Sequence, residues 1–150
     1  MTTQYASNQI WQNNETGYID QQNVMGSTVV TWNGAFNGAT GTLNYLLEYL
    51  PSGQQVSHLY FGAPDVTVGV TGATASNLVG GLPSLLIPTN RIVEPIIAIN
   101  GASAANVTLG SLTIGTDGSV LCKLVPNIGW TGPAFGFFDK CITSINSTNL

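Results

Sequence analysis

One histidine, two cysteines, seven carboxylates, two lysines and one arginine are the whole stock of ionisable side chains outside the phenols. His58 stands between Ser57 and Leu59, with no carboxylate or cysteine beside it in sequence. A serine nucleophile would have to use this histidine, yet no Gly-x-Ser-x-Gly turn is present to display the serine. His58 therefore reads as a surface or hydrogen-bonded histidine. The carboxylates Glu15, Asp20, Glu48, Asp65, Glu94, Asp117 and Asp139 are scattered singly. Glycoside hydrolysis needs two of them roughly 5 to 10 Å apart across a cleft, and no spacing here suggests such a pair. A depolymerase using Glu48, Asp65 or Asp139 is the weakest of three functional readings, and the expectation is that the chain is not an enzyme. Asp117, directly before Gly118, is better explained as a turn residue whose side chain bonds its own backbone.

Cys122 and Cys141 are not in CxxC spacing, and no Cys/His cluster or run of oxygen donors has the pattern of a metal site. Two free, buried thiols are expected, with a late-forming disulfide in an exported particle as the alternative. The glycine-rich stretches, Gly34 to Gly41 and Gly80-Gly81, lack both a phosphate-binding lysine and a following helix. No cofactor and no metal are expected. Trp11, Trp32 and Trp130, with five Tyr and five Phe, could supply aromatic faces for sugar rings. Trp32 and Trp130 are accordingly candidates for a glycan-binding surface or a subunit interface, although a tryptophan of a β-sandwich more often belongs to core or interface.

What surrounds these residues is unusual. The chain has 150 residues with Lys+Arg 3 and Asp+Glu 7, a formal charge of −4, and only 7% charged residues against 43% hydrophobic ones. Soluble domains usually carry about 25% charged residues, so this one must solvate itself with Asn, Gln, Ser, Thr and Gly. Three cations of the wrong net sign cannot follow a phosphate backbone or an anionic membrane. Nucleic-acid binding is thereby disfavoured. The apolar stretch from Asn77 to Asn100 is broken by Gly80, Gly81, Pro83, Pro88, Arg91, Glu94 and Pro95, which argues against a membrane span. Met1-Thr2-Thr3-Gln4-Tyr5 lacks the basic and apolar regions of a secretory leader, so synthesis in a cytoplasm is expected. Low charge with many apolar runs implies more apolar surface than a monomer of this size hides, and a symmetric oligomer or coat follows as the expectation.

Two regions divide the chain. Residues 1–25 are rich in Gln and Asn, with Tyr5, Ile10, Trp11 and Tyr18 isolated among them and no sustained period. They read as an extended arm whose apolar residues plug into pockets on another chain. Residues 26–150 show short runs of β-branched, Leu and aromatic residues between turn signals, the texture of a sandwich. The expected strands are Ser27–Trp32, Leu43–Leu50, Gln55–Phe61, Val66–Val70, Leu82–Ile87, Ile92–Ile99, Val107–Ile114, Ser119–Val125 and Phe135–Ile145. Pro95 should place its strand at an edge or bulge. Asp117-Gly118 should turn a hairpin. With no capped helical stripe, the fold class is all-β, an antiparallel, jelly-roll-like β-sandwich of about eight to ten strands behind an extended N-terminal arm.

From Leu82 onward the order is Leu82-Pro83, Pro88, a hydrophobic strand, a polar loop over Asn100–Asn106, and Gly110-Ser111-Leu112-Thr113-Ile114-Gly115-Thr116-Asp117-Gly118-Ser119-Val120, followed by Trp130 and an aromatic last strand. This region, Val66–Ile145, resembles the β-sandwich heads of bacteriophage tail-fibre, head-fibre and baseplate receptor-binding proteins. The resemblance implies a homotrimer displayed on a virion, touching capsid or tail proteins of the same virus and a host-surface glycan or receptor. It carries over no catalytic residue. Two features depart from the pattern: no coiled-coil or collagen-like shaft precedes the head, and the final strand, Thr143-Ser144-Ile145, lacks the usual Tyr. A short polar arm on one sandwich fits a small virion component, a head-fibre, spike or decoration protein anchored through Tyr5, Ile10, Trp11 and Tyr18. The second reading is a carbohydrate-binding module with exposed aromatics stacking on glycans.

Overall fold

The computed structural model describes residues 2–3, 10–13, 19–21, 23–66, 69–101, 106–131 and 134–146. Three short strands, β1 (Thr2–Thr3), β2 (Ile10–Asn13) and β3 (Ile19–Gln21), pair antiparallel in the order β1-β2-β3. The described parts of the expected extended arm are thus folded back on one another, since a Gln/Asn-rich backbone satisfies its own amides by pairing. Nine further strands follow: β4 (Val24–Thr31), β5 (Thr40–Tyr49), β6 (Gln55–Phe61), β7 (Ala75–Asn77), β8 (Ile92–Gly101), β9 (Val107–Ile114), β10 (Val120–Leu124), β11 (Ala134–Phe137) and β12 (Lys140–Ile145). They form a four-stranded sheet in the order β12-β6-β5-β4 and a five-stranded sheet in the order β11-β8-β9-β10-β7. The molecule is an all-β sandwich, with single-turn 3-10 segments at Gly34–Phe36 and Ser84–Leu86 among the described residues.

Period-2 alternation decides which side chains meet between the sheets. Leu43 and Leu47 from β5, Leu59 and Phe61 from β6, and Ile142 from β12 face Ile96 and Ala98 from β8, Leu112 and Ile114 from β9, and Val120, Cys122 and Leu124 from β10. An aromatic cluster fills one part of this core. Trp32 lies edge-on to Phe137 with ring centroids 5.5 Å apart, and Phe36 edge-on to Trp130 at 5.1 Å. The 3-10 turn at Gly34–Phe36 drives Ala35 and Phe36 inward, both fully buried. Its backbone is tied down by Phe36 N–H donating to Ser76 Oγ at 3.1 Å.

The strands β7 to β10 make a Greek key, in which the hairpin-connected β8-β9-β10 are closed by β7 beside β10. Within the sandwich, β4 to β12, the chain changes sheet between β6 and β7 and again between β11 and β12. Asp117 behaves as the turn residue expected of it: its Oδ1 accepts from Ser119 N–H at 3.0 Å and Ser119 Oγ at 2.6 Å, while Gly118 takes the positive φ of 84°. Both hydrogen bonds hold the exposed Asp117 carboxyl below its ordinary pKa.

Several expected elements differ. Leu82–Ile87 forms a 3-10 turn at Ser84–Leu86 instead of a strand, because Pro83 and Pro88 leave too few donors for a ladder. Val66, Gly69 and Val70 are in no strand, and residues 67–68 between them lie outside the description. Phe135–Ile145 is not one strand but two, β11 in the five-stranded sheet and β12 in the four-stranded one. Pro95 sits within β8, paired with Ser111 of β9, while β11 reaches only Ala98–Gly101 on the other side. The missing amide therefore falls where β8 is locally an edge.

Candidate functional site

The outer surfaces of the two sheets carry the functional possibilities, because the interior is fully occupied. Trp32 and Trp130 are both 0% exposed. As members of the aromatic core they present no face to a sugar or to a neighbouring subunit, which corrects their candidacy for either role. Tyr5 and Tyr18 lie outside the described residues, and Ile10 and Trp11 belong to β2, where their backbones pair with Gln21 and Asp20. Cys122 is buried on the inner face of β10, and burial raises its thiol pKa strongly. Cys141 is free and exposed on β12. The expectation of two buried thiols fails for Cys141, since alternation turns it outward next to the inward Ile142.

On the four-stranded sheet, the outward positions of β4, β5, β6 and β12 make an open groove of about 740 Å³. Cross-strand register arranges its floor in two rows. One runs Cys141, Tyr60, Asn44, Ser27, and the other Thr143, His58, Leu46, Met25. His58 Nδ1 lies 3.0 Å from Thr143 Oγ1, and Nε2 lies 3.3 Å from Glu48 Oε2, a close approach without the alignment of a hydrogen bond. The fold thus supplies the carboxylate that sequence proximity did not, by placing Glu48 on the neighbouring strand. At the other side Tyr60 donates its phenolic O–H to Asp139 Oδ2, and Ala63 N–H donates to Asp139 Oδ1 at 2.6 Å. The Tyr60 bond, then the Ala63 amide, hold the Asp139 carboxyl below its usual range, and the same Asp139 bond raises the Tyr60 phenol.

Asn44 and Ser27 point into the groove and make no side-chain hydrogen bond to a described residue. No Lys or Arg lines it. Beneath it, Gly26 allows the Tyr45 ring to cross β4 on the inner face: a Cβ at residue 26 would stand 2.2 Å from a Tyr45 ring carbon. Sequence reading missed this groove, and its signal was only the outward series of β5 and β6, Asn44-Leu46-Glu48 and Val56-His58-Tyr60.

The outer face of the five-stranded sheet is of another kind. Val93 and Ile97 of β8, Val107 and Leu109 of β9, and Val125 after β10 are 46 to 57% exposed. Ile97 pairs with Leu109 and Ile99 with Val107, and Val125 N–H donates to the Leu109 carbonyl at 3.0 Å, so Ile97, Ile99, Val107, Leu109 and Val125 adjoin one another, with Val93 farther along β8 beyond Pro95. Lys123, opposite Ser111 on β10, is the one charged side chain at outward positions of β8–β10 among the described residues.

Four of the described carboxylates have separate partners. Glu94 meets Lys140 at 3.2 Å, Glu48 meets His58, and Asp117 and Asp139 are held as described. Among the described residues no three of His, Cys, Asp and Glu cluster as metal ligands would. No protein-family model matches the chain, and no curated protein matches it in sequence.

Proposed function

We propose that this chain is a minor structural protein of a virus particle, a head-fibre, spike or decoration protein that assembles as a homotrimer. The observation that carries the assembly is the aliphatic outer face of the five-stranded sheet. Ile97, Val107, Leu109 and Val125, each about half exposed, adjoin one another in a patch with a single cation near it. Contiguous apolar surface of this sort on a protein so poor in charge marks an interface, because water gains most when a second apolar surface covers it. The virion as the setting rests on the likeness of Val66–Ile145 to phage fibre and baseplate heads. In this reading the segment before β4 anchors the protein on capsid or tail proteins through Tyr5, Ile10, Trp11 and Tyr18.

Light scattering on the full-length chain tests the assembly first. A mass near three times 15.7 kDa is expected, and a clean 15.7 kDa species overturns it. Co-sedimentation with the particles tests the anchor. Removing residues 1–22, which stops short of β4 at Val24, should abolish particle binding and leave the sandwich folded. Retained binding would exclude the arm as the anchor.

A further inference from the structure

We propose that the groove on the outer face of the four-stranded sheet is a binding site for a neutral saccharide. Its chemistry narrows the ligand by charge, depth and polarity together. No Lys or Arg lines it, while Glu48 contacts the lining His58 and Asp139 the lining Tyr60. Phosphates, sulfated or acidic sugars and carboxylate ligands would meet repulsion with no counter-charge. The groove is open to solvent along its length, so a wholly apolar ligand would leave much of its surface wet.

A neutral polyol suits what remains. Its hydroxyls each need a partner of either polarity, and its ring carbons need a flat apolar support. Asn44 offers an uncommitted amide and Ser27 an uncommitted hydroxyl, side by side in one row with the Tyr60 ring. In the parallel row, Leu46 and the 77% exposed Met25 provide apolar support. Four strands place the ends of each row about 14 Å apart, which accommodates a short oligosaccharide lying across the strands. The Asp139 bond fixes the Tyr60 phenol, and Thr143 and Glu48 fix His58, so two of the recognition groups are held before a ligand arrives. Such preorganisation lowers the ordering cost of binding.

This site does not depend on the assembly reading. A monomer could bind sugar, and a trimer without sugar affinity would leave the assembly untouched. The full-length protein is screened on an array of neutral hexose and N-acetylhexosamine oligosaccharides, and hits are titrated by calorimetry beside sialylated and sulfated counterparts. Saturable binding of neutral sugars is expected, with weaker binding of the acidic ones. Asn44→Ala should weaken it roughly three- to tenfold, as loss of one hydrogen bond does. Asn44→Arg, an exposed substitution that fills the floor, should abolish it with the melting temperature preserved. Tyr60→Phe keeps the ring and releases Asp139, and should weaken binding less than Tyr60→Ala. No saturable neutral sugar on the array overturns the proposal, as does a preference for acidic sugars or binding that Asn44→Arg leaves unchanged.

Discussion

The two outer faces of this sandwich are built on one backbone plan and present opposite chemistry. On the five-stranded sheet the outward positions of β8–β10 hold Val93, Ile97, Val107 and Leu109 beside Ser111, Thr113 and Lys123. On the four-stranded sheet they hold Ser27, Asn44, His58, Tyr60 and Thr143 around Leu46 and Met25, with Glu48 in reach of His58. A surface made mainly of aliphatics rewards any apolar cover of matching shape. A surface of spaced hydroxyl, amide, imidazole and phenol groups rewards only a ligand that answers each of them, because an unmatched polar group loses its water without compensation. The first face suits assembly, the second recognition.

That contrast collapses most completely if the shared core is damaged. Trp32→Ala removes a fully buried ring from between Phe36, Phe61 and Phe137, and should cost roughly 3 to 5 kcal/mol in denaturant unfolding. Both faces should be lost together, and a variant that unfolded at the wild-type midpoint would refute this placement of the ring. Leu109→Asp separates the faces. Placing a charge in the centre of the aliphatic patch should reduce the mass to that of a monomer while sugar binding in the groove persists, and unchanged mass would move the interface elsewhere.

A smaller effect is expected at the buried polar knot under the four-stranded sheet, where Ser57 donates to Asn146 Oδ1 at 2.6 Å and Asn146 Nδ2 donates to the Leu85 carbonyl at 2.8 Å. Asn146→Ala leaves Ser57 with Ser144 as its remaining partner and the Leu85 carbonyl without this donor, and should cost about 1 to 3 kcal/mol, with β12 exchanging its amides first. Uniform exchange across the sandwich would contradict this. The smallest effect concerns Asp139. The Tyr60 and Ala63 hydrogen bonds hold its folded-state pKa below the ordinary aspartate value, so its stabilisation is full above that ordinary value and lost as pH falls through the depressed one. Solvent screens this exposed pair, so melting curves of wild type and Asp139→Asn should differ slightly at neutral pH and converge in stronger acid. A gap that widened on acidification would reverse the sign.

Much of this architecture was legible because alternation is a local signal. Gln55–Phe61 and Val107–Ile114 have the boundaries that their residue patterns predict, and Asp117-Gly118 turns its hairpin. Ala75–Asn77 escaped notice because three small or polar residues carry no period, and it becomes a strand only by pairing with Leu121–Lys123. The break between β11 and β12 was hidden for a similar reason. Phe138 and Asp139 read as a continuation of the strand until Asp139 is seen to accept from Tyr60 on β6 and from Ala63, two residues beyond its end. The groove was illegible in principle, since its rows are assembled from residues as far apart as Ser27 and Cys141. What marked Trp32 and Trp130 in the sequence was their aromatic character, which serves a core as readily as a sugar site.

The two edges of the four-stranded sheet are its first and last strands in chain order, β4 and β12. During synthesis, β4, β5 and β6 leave the ribosome as a meander whose outer edge at β6 has no neighbour until Lys140–Ile145 emerges, some eighty residues later. Ser57, Leu59 and Phe61 wait at that bare edge throughout, and a chain cut short before β12 would keep it as a template for pairing with other chains. Emergence of β12 and completion of the four-stranded sheet are therefore the same event.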